Sequence, residues 1–391
     1  MNQHRSTVHP HVAQRRHHRS IGRFARITIE RFLLIPIGAL IALIWANTAA
    51  ESYFLFAHRV AFYVNEIGMA LFFALLAQEV YEATMPGGAL HSWRRWGMPV
   101  VGAAGGIVGA VLVFLAYLYL RHEPGPSTAW PIACAIDAAA TFYVLKTIMP
   151  HHPALPFAVL LAIVTDLVGM AVVAPQSLVL ETRAGGVVLV IGALVLAAVM
   201  RAFRVRAFWP YLVFCGTALW IAFDWEGLHP AFALLPLVPF MPHEPRSVDV
   251  FAEAKDDDRV HHAERDWHLL VQPIVFLFAL VNAGVPIRGY DTGTWAMLTA
   301  ALVGRPLGML LAIGAGLAVG LHLPRHVGVR ELLVITFATS SGFSLALFFA
   351  TGLLATGPVL AAIKVGVILS ASGALLAFAA ARLLKVGRFA H

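Results

Sequence analysis

The chain has 391 residues, of which 59% are hydrophobic and 13% charged, against roughly 25% charged in a soluble globular domain. Too little polar surface is present to cover a large water-soluble core, and the apolar residues cluster in runs of about 18 or more, the length that crosses a bilayer as a helix. The runs are continuous and do not alternate, which excludes a transmembrane β-barrel, and the formal charge of +7 reads as membrane topology, not as nucleic-acid binding.

Residues 1–31 form a basic tail that includes Arg15, Arg16, His17 and His18. The expectation is a disordered, positively charged anchor to membrane lipids. No small-residue cleavage site follows a short apolar region, so the tail does not read as a signal peptide. About twelve candidate spans follow, at 32–50, 59–81, 98–120, 128–149, 153–174, 186–200, 208–222, 229–240, 268–287, 294–320, 331–354 and 359–381. The run 186–200 is short, and 229–240 is interrupted by Pro236 and Pro239. The charged segment 243–267 reads as a cytoplasmic loop joining a first half, 32–242 with spans 1–8, to a second half, 268–391 with spans 9–12 and a short tail. Cys134 and Cys215 fall inside spans and suggest neither a disulfide framework nor a metal cluster.

Loop charges set the orientation. With the N-terminus in the cytoplasm, 21 of the 28 Lys and Arg residues lie on the cytoplasmic side and four, Arg59, Arg121, Arg183 and Arg288, lie opposite. That bias follows the positive-inside rule. It predicts a multi-pass protein of the inner membrane with both termini cytoplasmic.

Three charged residues fall deep inside spans: Asp137, Asp166 and Arg305. Each costs about 2.5–3.5 kcal/mol at the centre of a spanning helix and usually marks an ion or proton path. A buried ion pair that only fixes helix packing is the competing reading. The eleventh candidate span carries Thr336-Phe337-Ala338-Thr339-Ser340-Ser341-Gly342-Phe343-Ser344. Hydroxyls and a glycine in mid-span permit a helix break over a water-filled cavity, and equally a close small-residue contact between helices. There is no His-Glu zinc signature, serine–histidine constellation or phosphate loop. The chain therefore does not read as an enzyme and implies no cofactor.

The stretches Leu71-Phe72-Phe73 through Glu79-Val80, Trp130-Pro131-Ile132 through Asp137, and Leu161-Ala162-Ile163 through Asp166-Leu167 are followed by Asn282-Ala283-Gly284-Val285, Gly304-Arg305-Pro306-Leu307-Gly308 and Gly342-Phe343-Ser344. In this order and spacing they resemble the bacterial NhaA sodium/proton antiporters, over nearly the whole chain after the tail. That family is itself a reference case for transporters built from inverted repeats. The resemblance implies an all-α polytopic membrane protein with inverted repeats and two discontinuous helices, 128–149 and 331–354, that cross near mid-membrane. It implies exchange of Na+ or Li+ for H+, with a homodimer as a candidate assembly. The discontinuity would fall at Thr339, Ser340, Ser341 and Gly342.

This chain departs from the family pattern at its charged positions. Thr165 stands where the family usually has the first of two aspartates, leaving Asp166. Arg305 stands where lysine is usual, Ile136 stands where a threonine commonly precedes the aspartate at 137, and the acidic pair linked to pH response looks shortened to Glu79 and Glu82. Asp166 is the expected ion and proton carrier, Thr165 offers a hydroxyl oxygen to a hard cation, and Asp137 is a further binding candidate or an offset to half-helix charge. Arginine effectively cannot lose its proton, so Arg305 is expected to be a fixed counter-charge to one of the two aspartates. The resulting expectation is one-for-one, electroneutral exchange. A transporter of an organic anion drawn to Arg305, or a regulator that keeps the scaffold without transporting, are the alternatives.

Overall fold

The computed structural model describes residues 34–85, 96–150, 152, 154–173, 184–205, 207–242, 273–287, 290–324 and 327–390. The basic tail and the charged segment 243–267 lie outside the described residues. Within them the chain is helical throughout, with no strand. Six helices are long and apolar enough to cross a membrane, or eight if each of two bent pairs counts as one span. Shorter apolar helices lie at Leu34–Thr48, Tyr211–Trp225, Pro230–Phe240 and Pro273–Asn282.

The helices, in chain order, are α1 (Leu34–Thr48), α2 (Ala50–Phe62) running through a π turn (Tyr63–Gly68) into α3 (Met69–Thr84), and α4 (Gly97–Leu120). A 3-10 segment (Gly125–Cys134) leads to α5 (Ala138–Ile148), followed by α6 (Ala154–Val173) and α7 (Ala184–Ala202). A π turn (Tyr211–Gly216) opens α8 (Thr217–Trp225), and two 3-10 pieces follow at Pro230–Phe232 and Leu235–Phe240. Pro273–Asn282 is α9. Then come α10 (Thr292–Thr299), a π turn (Ala300–Gly304), α11 (Arg305–Ala318), α12 (Val329–Ala338), α13 (Phe343–Leu353), α14 (Pro358–Ser370) and α15 (Ser372–Leu383).

Two boundaries differ from the sequence reading. The second span starts at Ala50, not at 59, because only Ala49 separates α1 from α2. Glu51, His58 and Arg59 depress the hydropathy there, yet they sit exposed on one side of α2 while Tyr53 and Ala57 are buried on the other. Arg59 therefore lies in a helix and not in a loop. The run 229–240 is built from short 3-10 pieces, because Pro236 and Pro239 deny the chain α-helical donors.

The unit 97–173 and the unit 292–383 repeat one pattern: a long helix, a broken helix, and a further helix. The leading helices of the two units run antiparallel. Gly105 meets Gly308 and Ala312, while Gly109 meets Gly304 and Gly308. A Cβ on Gly304 would stand 2.6 Å from the Gly109 carbonyl oxygen. These backbones approach as only glycine permits, in the small-xxx-small manner of membrane helices. Arg305, the first residue of α11, is buried next to this contact.

The Asn282-Ala283-Gly284-Val285 stretch ties the end of α9 to the first two helices. Tyr53 Oη donates to the carbonyls of Leu280 or Val281 (3.0 and 2.8 Å) and accepts from Gly284 N at 2.9 Å. Asn282 and Asn65 exchange amide hydrogen bonds at 2.7 and 3.2 Å. Asn47 receives Ile287 N and donates to Val285 O, each at 2.9 Å. The amides thereby satisfy backbone groups freed where the helix ends.

Candidate functional site: the crossing of two broken helices

Each break follows from local sequence. Pro126 lies in the first turn and Pro131 inside the segment Gly125–Cys134, which forms a 3-10 helix instead of an α-helix. Ala135 and Asp137 then turn extended, and Asp137 caps α5 by accepting from Ala140 N at 2.9 Å. The two halves are bent by 54°. On the other unit, α12 ends at Ala338, and the hydroxyls of Thr339 and Ser340 both donate back to Thr336 O at 2.9 Å. Ser341 and Gly342 are non-helical, and α13 begins at Phe343 after a bend of 43°. The break reading of this stretch thus prevails over a simple helix contact.

The two breaks touch. A Cβ on Gly342 would lie 2.5 Å from the Ala135 carbonyl oxygen, so the chains cross backbone to backbone where glycine stands. Four half-helix ends meet there with partial charges of two signs. The N-terminal ends of α5 and α13 share Asp137, whose Oδ1 accepts from Ala140 N while Oδ2 accepts from Ser344 Oγ at 2.6 Å and Ser344 N at 3.3 Å. The C-terminal ends of the 3-10 segment and of α12 share Arg305. Its Nη2 donates to Ala133 O and Ala135 O at 2.6 and 2.7 Å, and its Nη1 to Thr339 O at 3.0 Å.

The direct hydrogen-bond partners of Arg305 are thus backbone carbonyls. Its guanidinium is spent on backbone carbonyls and forms no ion pair with Asp137 or Asp166 among the described residues. Three C-terminal carbonyls brought together by the crossing satisfy the guanidinium fork. Arg305 is 2% exposed and its Nε has no partner.

Asp166, on α6, is buried at 4% exposure beside the same crossing. Its Oδ2 accepts from Ala138 N, the first residue of α5, at 3.3 Å, while Oδ1 accepts no hydrogen bond. A cavity of about 30 Å³ adjoins it, lined by Phe72, Leu75 and Leu76 of α3, Ile136 to Ala139, Asp166, Ser344 and Leu345. That volume holds about one water-sized particle. Thr165 is buried, but it does not line the cavity, and its hydroxyl donates to Leu161 O one turn back on its own helix at 2.8 Å. Thr165 thus precedes Asp166 in sequence but stands outside the cavity lining. Glu79 and Glu82 belong to α3, and their side chains lie outside the described residues.

Two further residues join the site through contacts across the fold, Ser344 and Glu66. Glu66 lies in the π turn of the second span, with Oε2 3.5 Å from Nδ1 of His229. The His229 ring packs on Phe348 of α13 at 5.1 Å between centroids. An acid inside an apolar run was the available signal, the same one that marked Asp137 and Asp166.

These features define a polytopic membrane protein with inverted repeats and crossed discontinuous helices, the architecture of secondary transporters. Comparison with known proteins gives the family. The model for the family "Na+/H+ antiporter 1" matches residues 23–383. A Na+/H+ antiporter NhaA of Geobacter metallireducens is 34% identical over 93% of this chain and 98% of its own length. One from Geotalea uraniireducens is 35% identical over 94% and 98%. Among solved structures, the sodium proton antiporter MjNhaP1 of Methanocaldococcus jannaschii shares the fold, with a TM-score of 0.56 at 16% identity, covering 90% of this chain and 92% of that one. The chain belongs to the NhaA family of Na+/H+ antiporters.

Proposed function

We propose that this protein exchanges Na+ or Li+ for H+ across the bacterial inner membrane, one for one, with Asp166 as the group that alternates between cation and proton. The observation that carries the reading is the buried Oδ1 of Asp166, which has no hydrogen-bond partner beside a cavity of about one water's volume. A carboxylate that binds either Na+ or H+ makes the two compete. If the site reorients when occupied and not when empty, competition becomes exchange. The relatives' names as Na+/H+ antiporters support this substrate pair, and the bias of Lys and Arg supports cytoplasmic termini.

The coupling follows from which groups can titrate. Thr165 does not ionise and arginine keeps its proton. Asp137 is engaged by three donors as a cap on two helices, which supports a structural role for it and not that of carrier. One carrier remains. An organic anion at Arg305 has less support, since both terminal nitrogens of the guanidinium already serve carbonyls.

The test is flux in proteoliposomes with Na+, Li+ and K+ supplied separately. The wild type is expected to exchange Na+ or Li+ for protons. Asp166→Asn is expected to abolish exchange while the protein remains inserted and folded. Wild-type-like flux in the purified Asn variant would overturn the assignment.

A further inference from the structure

Of the ten residues that line the cavity beside Asp166, three carry polar side chains: Asp137, Asp166 and Ser344. Their oxygens are not equally available. Asp137 accepts on both oxygens, from Ala140 N on Oδ1 and from Ser344 on Oδ2. Asp166 Oδ2 accepts from Ala138 N, and its Oδ1 is unpartnered. Ser344 Oγ spends its proton on Asp137 at 2.6 Å and accepts no hydrogen bond. A hydroxyl that only donates keeps both lone pairs. Its donated bond also fixes which way those lone pairs face. The side chain is 3% exposed, at the second residue of α13.

Hard cations take oxygen ligands, and a site distinguishes them by ligand number and rigidity. We propose that Ser344 is a cation-binding and selectivity residue: its hydroxyl oxygen, oriented by Asp137, is the neutral side-chain ligand that joins the Asp166 carboxylate around Na+ or Li+. The inference rests on the antiport reading and adds a ligand to the same site. Protonation of Asp166 needs no such ligand. The hydroxyl therefore acts on the cation half of the cycle and leaves the proton half alone. Because α13 carries Ser344 while Phe72, Leu75, Leu76 and Asp166 of the lining belong to α3 and α6, the ligand also couples cation occupancy to the second broken helix.

The test uses the full chain in proteoliposomes and compares Ser344→Ala, Ser344→Thr and Ser344→Cys. The readout is the Na+ and Li+ concentration giving half-maximal exchange, measured against the pH dependence of exchange at saturating cation. For Ser344→Ala the half-saturating cation concentration is expected to rise about tenfold or more, the usual scale when a supporting group of a metal site is removed. The ratio of the Na+ to the Li+ value should change as well. Ser344→Thr keeps the oxygen and is expected to stay within about twofold of the wild type. Ser344→Cys replaces a hard oxygen by a soft sulfur while keeping a weak S–H donor. It separates ligation from the orientation of Asp137, and it stands in if the Ala variant does not fold. A Cys variant with impaired half-saturation and wild-type thermal stability supports ligation. Ala or Cys variants with reduced maximal flux but unchanged half-saturation for both cations would overturn this inference and leave the antiport reading standing. A wild type that exchanges neither Na+ nor Li+ would overturn both.

Discussion

Gly342 crosses the backbone of Ala135 at a distance that admits no side chain: a Cβ on Gly342 would be 2.5 Å from the Ala135 oxygen and 3.3 Å from its carbonyl carbon. The same oxygen accepts from Arg305 Nη2 at 2.7 Å. Contact between the two broken helices and neutralisation of their C-terminal ends are therefore one construction.

Gly342→Ala is expected to lower thermal stability, by about 1–3 kcal/mol as for overpacking, and to reduce exchange. Gly192→Ala is the control, since no atom lies within 4 Å of its added Cβ. Thermal unfolding in detergent, followed by fluorescence, reads both. A Gly342→Ala protein as stable and active as the Gly192→Ala protein would show that the crossing opens more easily than the geometry implies.

Asp137→Asn keeps an acceptor for Ala140 N but removes the charge shared by two helix N-termini. A charge at a helix terminus contributes up to about 2 kcal/mol when partly buried. The variant is expected to unfold at lower temperature and to transport more slowly, without loss of exchange. If it lost cation binding altogether while Asp166→Asn retained it, the carrier would be Asp137.

Arg305→Met leaves the carbonyls of Ala133, Ala135 and Thr339 without the donors they now have. Leaving a buried acceptor without its donor costs about 1–3 kcal/mol. Arg305→Lys keeps a charge with three donors but loses the planar fork that reaches two carbonyls from one nitrogen. Melting temperatures are expected to fall in the order wild type, Lys, Met. Equal stability of the Lys and Met variants would mean that the fork, and not the charge, provides the stabilisation.

Much of this site was legible in the chain. Asp137, Asp166 and Arg305 announce themselves as charges inside apolar runs, and the hydroxyls of Thr339 to Ser341 with Gly342 mark a break. Pro126 and Pro131 explain why one half-helix is 3-10. Other features depend on contacts across the fold. The partners of Arg305 lie 170 and 172 residues away in Ala135 and Ala133. No spacing rule links them, so the sequence shows the charge without the carbonyls it serves. Ser344 was visible as a residue type, but its bond to Asp137 spans 207 residues. The helical start at Ala50 was hidden because Glu51, His58 and Arg59 lower the local hydropathy, although the helix turns them outward. Glu66 could have been flagged by the same cost argument as the two aspartates.

Exchange that carries net charge needs a second titrating group beside the carrier. Thr165 donates its hydroxyl within its own helix, and Arg305 keeps its proton. Asp137 is committed as a cap to two helix ends, which leaves Asp166 as the carrier. One-for-one exchange is therefore expected to ignore the membrane potential. A potential of about 100 mV acts on each net charge moved with about 2.3 kcal/mol, enough to shift a charge-moving equilibrium by more than tenfold. Proteoliposomes clamped at that potential should reach the same sodium distribution as unclamped ones. A clear shift, or a sodium-dependent current that persists at steady state, would assign a second proton to Asp137 or another group. Arg305→Lys sharpens the test because lysine can titrate when buried. If the permanent charge at 305 enforces neutrality, the Lys variant should gain voltage dependence. A Lys variant that stays electroneutral would place the restriction at Thr165, and Thr165→Asp would then be the substitution expected to restore a second proton.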